Sequence, residues 1–197
     1  MGWVLIAIAL LFNQGAQAAD ISLVADGTPD YPAIVLINGK LDRDSAGVEI
    51  ETFGTISSAQ RYGAVIVLES PGGTITTAIA IGREIRQRGY STLVADNAFC
   101  ASTCGLIWVA GKERFPGPRA RVGFHAAKEP NGEVSAHGNA VVGAYLHEMG
   151  ITNMQVISHL TKVTPSGMTW LSLDEAKRLK IDVKPLRGDL AMRTTRR

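Results

Sequence analysis

With 197 residues, 46% of them hydrophobic, 6% aromatic and 21 of them glycine, the chain has the make-up of one globular α/β domain large enough to bury a full core without staples. A formal net charge of +2 and scattered basic residues exclude an electrostatic case for nucleic acid. The basic run Arg193 to Arg197, inside a tail over 187–197, reads as a solvated end.

Trp3 to Phe12 is a continuous apolar run, followed by polar residues and then Ala16-Gln17-Ala18. So short a run cannot span a bilayer, and a small-x-small site behind it makes 1–18 read as a secretory signal cleaved near Ala18. A buried N-terminal helix is the alternative. The mature chain is therefore expected in the periplasm or outside the cell. Residues 19–32 are polar and turn-rich and read as a lead-in without a core of its own, ahead of a single domain over 33–186.

Ala33 to Ile37 is a short apolar strand ended by the turn pair Asn38-Gly39. Between Gly47 and Gln60 apolar residues recur at spacings of two and three, which supports a helix weakly; a parallel sheet nevertheless requires a crossover there. Ala64 to Leu68 is apolar on both faces, the pattern of a strand inside a parallel sheet covered by helices. Thr74 to Gln87 carries an apolar stripe of Ile75, Ala78, Ile79 and Ile85, with Gly89 as C-cap. Thr92 to Ala95 returns as a strand, Thr103 to Ala110 is a buried helix closed by Gly111, and Ala120 to Phe124 is the next strand. A loop containing His137 follows, then helices over 140–149 and 153–160. Ser172 and Glu175 have capping-box spacing and open a last helix. Strands alternating with helices give an α/β class with a mostly parallel sheet.

Three corners carry chemistry. Ser70-Pro71-Gly72-Gly73 lies at a strand-to-helix junction, where glycines let the chain turn and present bare N–H groups; taken alone it is a turn, and no phosphate-loop lysine follows. Ser102 opens the helix at Thr103, so it reads either as an N-cap or as an exposed nucleophile whose following N–H meets an oxyanion. His125 ends an apolar strand and is either a structural hydrogen-bonder or the base that Ser102 needs. All three fall at strand ends of one sheet, where open α/β sheets place their sites. His137, His147 and His159 receive no role. Lys112 and Lys128 are alternative bases, but neither sits where burial would lower its pKa.

Cys100 and Cys104 flank Ser102. In an exported protein an even count favours a disulfide, whose use here would be to pin the serine corner. Two thiols without a nearby histidine leave a zinc under-coordinated, so no metal is expected, and no cofactor is called for.

The ordered run SPGG, CASTCG and RARVGFHAA, with Ser102 placed 29 residues after Gly73 and His125 placed 23 after Ser102, resembles the Clp protease proteolytic subunit family. It is most similar to the exported ClpP-like proteins of bacteria, in which cysteines flank the serine. The similarity covers about Ile34 to Val183. It implies the ClpP/crotonase fold, with β-β-α units repeated over a mostly parallel sheet. It also implies a serine peptidase site with Ser102 as nucleophile, His125 as base and the N–H groups of Gly73 and Thr103 as oxyanion hole. The substrate would be a peptide or protein, and relatives of this fold assemble into homo-oligomers. No ATPase partner is expected of an exported chain. The departure is at the acid: the family's Asp-x-x-Leu-Ser corresponds to Met168-Thr169-Trp170-Leu171-Ser172, so the acid position is Met168. Asp174 is the nearby carboxylate, but it reads as a first-turn helix residue favoured by the dipole. A backbone carbonyl, Ser166 or water is left to orient His125. Two other readings remain open. One is a ClpP-like interaction or scaffold protein with weak or lost catalysis; the other is a crotonase-type acyl-CoA enzyme, which export disfavours.

Overall fold

The computed structural model describes residues 19–42, 51 and 53–186. The secretory-signal segment and the basic tail over 187–197 lie outside the described residues, as does the first part of the helix expected over 47–60.

Two near-continuous apolar runs form the centre. β2 (Ala33–Asn38) and β3 (Ala64–Glu69) pair in parallel from Ala33↔Ala64 to Asn38↔Glu69. β4 (Ser91–Val94) and β6 (Arg114–Pro116) continue the parallel order beyond β3. On the other side β1 (Asp20–Ala25) adds to β2 in antiparallel fashion, which gives the order β1-β2-β3-β4-β6. A second sheet has the order β5-β7-β8: β5 (Phe99–Cys100) runs parallel to β7 (Arg121–Phe124), and β8 (Thr169–Leu171) runs antiparallel to it.

The two-residue period of the central strands sends their side chains to opposite faces. Val35, Ile37, Ile66, Leu68 and Val94 join the main core with the helices, while Ile34, Val65, Val67, Leu93 and Phe115 make a smaller cluster on the other face. Among the described residues, the helices with both ends described are α1 (Ser57–Tyr62), α2 (Ile75–Gln87), α3 (Thr103–Ala110), α4 (Ala136–Glu148), α5 (Met154–Thr161) and α6 (Leu173–Arg178). The protein is thus α/β, with a mostly parallel five-stranded sheet, a small mixed sheet and helices packed on them. Among the described residues no helix is long and apolar enough to cross a membrane.

Several expectations are revised. Residues 20–25 are not a plain lead-in but edge strand β1: Ile21 packs on the main core and Ala25 on the smaller cluster, while exposed Asp20, Leu23 and Val24 blur its pattern. β5, β6 and β8 are two or three residues long, too short for a period to be seen. α4 starts earlier than the apolar pattern because Ser135 caps it, accepting a hydrogen bond from the Gly138 N–H at 3.0 Å; His137 is therefore on a helix and not in a loop. The three corners do not share one sheet. Asn97, with φ 63°, lies in the turn after β4, and the chain then enters β5, which pairs with β7 rather than continuing the first sheet. By contrast, the capping box of α6 is present in full, with Ser172 N–H donating to Glu175 Oε2 at 2.9 Å and Glu175 N–H to Ser172 Oγ at 3.2 Å.

Candidate active site

The corner after β3 is built by backbone contact. Ser70 bridges to Cys100 of the second sheet, with Ser70 N–H donating to Phe99 O at 3.2 Å and Ala101 N–H to Ser70 O at 2.9 Å. Its hydroxyl accepts from the Gly72 N–H at 3.0 Å. Gly72 has φ 92°, and a Cβ there would lie 2.6 Å from the Ala101 carbonyl oxygen and 2.8 Å from Ser102 Cβ. Only glycine meets both demands. Gly73 is pressed on its other side against the backbone of Leu41. Leu41 N–H donates to Gly72 O at 3.0 Å and Thr74 N–H to Leu41 O at 2.7 Å. A parallel bridge of that pattern uses the residues on either side of Gly73, so the Gly73 N–H points away from Leu41.

Ser102 is the N-cap of α3, yet its side chain makes no capping hydrogen bond. Its backbone stands at φ 57°, ψ −124°, a conformation that costs a non-glycine residue about 1–3 kcal/mol and is the strained strand-to-helix turn of nucleophile elbows. The N-cap reading therefore explains the position but not the conformation. Cys100 and Cys104 are disulfide-bonded, with Cα atoms 5.2 Å apart and neither side chain exposed. Thr103 occupies the first helical position, where an N–H has no partner within its own helix. Its hydroxyl is buried and has no hydrogen-bond partner among the described residues.

α3 is buried along its whole length and approaches β7 at a residue without a side chain: a Cβ on Gly105 would sit 2.8 Å from the Phe124 ring and 3.2 Å from the Gly123 carbonyl. The next residue of that strand is His125. Its Nδ1 lies 2.6 Å from the Ala126 carbonyl oxygen. A carbonyl only accepts, so Nδ1 carries a proton, and in the neutral imidazole the lone pair is on Nε2. The loop is anchored in turn by Ala126 N–H donating to Val163 O at 2.7 Å.

Met168 directly precedes β8, whose register with β7 is Gly123↔Trp170 and Phe124↔Thr169. Its side chain covers Gly123, with Cγ and Sδ each 2.8 Å from where a Cβ would be. Asp174 is exposed in the first turn of α6 and Ser166 is exposed beside Thr164, with the two hydroxyls 3.1 Å apart; neither lines the cavity described next.

Gly73, Ser102, Thr103 and His125 line one cavity of about 270 Å³. The structure thus brings together all four residues that the motifs single out, although they come from two sheets. Apolar walls come from Ile75, Leu106, Phe124, Val142 and Leu160, and exposed Lys128 is the one ionisable side chain besides His125. Lys112 is on a different face. Val142 and Leu160 had no signal in sequence beyond their places on helices α4 and α5, because nothing local says which cavity a helix will cover. Lys128 is weighed above as a base; its side chain is exposed, whereas a lysine base needs burial or a neighbouring charge.

Compared with known proteins, the chain matches no family model, and no curated protein is significantly similar to it.

Proposed function

We propose that the protein is a serine hydrolase of the ClpP/crotonase fold, exported and acting as a peptidase. The observation that carries this reading is the Ser102 corner: a serine held at positive φ, with a hydroxyl not used for capping, on the wall of the cavity that His125 also lines. Strained residues of this kind cluster at active sites and ligand clamps.

In this reading a carbonyl substrate enters the apolar cavity and Ser102 Oγ attacks its carbon. His125 Nε2 takes the hydroxyl proton and later returns it to the leaving group. The negative charge that develops on the carbonyl oxygen is met by the N–H groups of Gly73 and Thr103, already fixed in place by the Leu41 bridge and by α3. The Ala126 carbonyl does the orienting work of a triad acid, holding the imidazole as its Nδ1–H tautomer. As a neutral dipole it stabilises the imidazolium less than a carboxylate would. Replacing the acid of a triad by a neutral group costs about four orders of magnitude in turnover in enzymes built around it. Slow turnover on a specialised peptide is therefore expected.

A second reading, a ClpP-like interaction protein without effective catalysis, is supported by Met168 at the position where the resemblance expects the acid and by the lack of any carboxylate among the described cavity residues. Labelling with a fluorophosphonate separates the two. Wild type is expected to label, and Ser102→Ala and His125→Ala are not. A folded, oxidised wild-type protein that fails to label would remove the catalytic reading in favour of the second.

A further inference from the structure

α3 has a second cavity at its other end, about 450 Å³ in volume, to which the hydrolase reading assigns nothing. Its wall is built from two guanidinium groups. Arg114, only 7% exposed, donates from Nε to Val109 O at 2.8 Å, from Nη2 to Met149 O at 3.0 Å and from Nη1 to Asp182 O at 3.2 Å. Arg86 reaches two of the same acceptors, Val109 O at 3.2 Å and Met149 O at 3.0 Å. Every acceptor is a backbone carbonyl. Neither arginine is in an ion pair among the described residues, and the Arg86 Nε–H is buried without an acceptor.

The charge does not balance. The carbonyl ends of α3 and α4, which these carbonyls represent, supply about half a negative charge each, against two full positive charges. Exposed Lys112 and Lys180 line the same cavity. Asp182 is its one acidic residue among the described residues, and its carboxylate is exposed and lies 3.7 Å from the Lys184 ammonium. Thr152 and Asn153, at the start of α5, add a helix N-terminus to the wall. Burial first, and the neighbouring Arg86 charge second, push the Arg114 guanidinium down to about 10. The backbone carbonyls and the Asp182 carboxylate offset these two like charges only in part, and an anion in the cavity would complete the balance.

We infer that this cavity binds a small phosphate-bearing anion, held by Arg86, Lys112 and Lys180 over the start of α5, with Arg114 behind them. The volume falls in the range of small-molecule sites, about 300–1,000 Å³, and exceeds what a bare phosphate fills. The lining contains no aromatic ring, so there is no platform on which a nucleobase could stack. A phosphate ester of a small polyol or sugar fits better than a nucleotide.

The test uses the full oxidised chain and does not depend on hydrolase activity. Thermal unfolding is followed in inorganic phosphate, glycerol 3-phosphate and ribose 5-phosphate against sodium chloride of equal ionic strength. At about tenfold excess over Kd a bound anion raises Tm by roughly 3 °C. The double variant Lys112→Ala/Lys180→Ala changes only exposed side chains, keeps the chloride Tm and is expected to lose at least half of the phosphate shift; Arg86→Gln is expected to lose all of it. Adenosine monophosphate is expected to bind no more tightly than ribose 5-phosphate by calorimetry. Equal Tm in all three anions and in chloride at about 20 mM, or an undiminished shift in both variants, would overturn the inference. Tighter binding of the nucleotide would overturn its restriction to small esters.

Discussion

The two ends of α3 are held in opposite ways. At the N-terminal end the chain is fixed by backbone and covalent contacts: Gly72 against the Ala101 carbonyl, Gly73 against Leu41, and the Cys100–Cys104 bridge around Ser102. At the C-terminal end, about 12 Å away for a helix of eight residues, long side chains do the holding, with Arg86 and Arg114 gripping the Val109 carbonyl. Backbone contact fixes position without adding charge and can maintain a strained residue, which suits a nucleophile. Side-chain grip fixes position too, but it brings more positive charge than the helix end can offset. One helix thus presents a preorganised neutral corner at one end and an electrostatic surplus at the other.

The sharpest way to break the first end is Gly72→Ala. It forces a side chain into the Ser102 corner at φ 92°, and the combined strain and overpacking are expected to cost about 3 kcal/mol or more in urea denaturation, together with all fluorophosphonate labelling. Removing the bridge by Cys100→Ala/Cys104→Ala is next. The five-residue loop gives a chain-entropy loss of about 2 kcal/mol, and if the bridge holds the elbow, the labelling rate falls by more than the stability change explains. A labelling rate unchanged at matched folded fraction would show that Gly72 and the Ser70–Cys100 bridge hold the corner unaided.

Ser102→Gly sharpens the comparison with the opposite sign. Glycine adopts the φ 57° conformation without the penalty paid by serine, so this variant is expected to be more stable than Ser102→Ala by about 1 kcal/mol while both lose labelling. Equal stability of the two would mean that the corner stores no strain.

The smallest effects lie at α6, which is held by ordinary capping and serves as the reference for both ends of α3. Ser172→Ala is expected to cost about 1 kcal/mol. The Ser172 N–H, first, and its hydroxyl hold the Glu175 carboxyl below the usual glutamate range. A depressed carboxylate contributes stability that is present above the unfolded pKa and lost as pH falls through the folded one. Stability should therefore decline on the acid side of about pH 4.5, the ordinary glutamate value, and Glu175→Gln should flatten part of that decline in a pH series of urea midpoints.

How much was legible from the sequence depended on the length of each element. β2 and β3 are six residues each and apolar on both faces, and α2 carries a full stripe, so local pattern was enough to find them. β5, β6 and β8 are held by their partners, and their few residues carry no period. β1 was missed because an edge strand buries only part of itself. At the site, Gly73, Ser102, Thr103 and His125 were readable because sharp turns demand particular residue types. That a backbone carbonyl could orient His125 was one of the alternatives, but which carbonyl was not readable, since every residue carries the same C=O group and its pairing depends on the path of the chain. The Arg86–Arg114 pair was missed for a related reason: an arginine in a helix and another at a strand start look like solvated charges until the fold closes over them.

The sequence by itself determined the alternation of strands and helices, the turn glycines, the caps and the cysteine pair around Ser102, because these follow from side-chain chemistry and spacing over a few residues. Only the tertiary structure decided that the three corners come from two sheets rather than one, that the Met168 side chain covers Gly123 of β7, and that two arginines share the end of one helix. Those outcomes depend on which distant backbones come into contact, and close packing settles that for the whole chain at once.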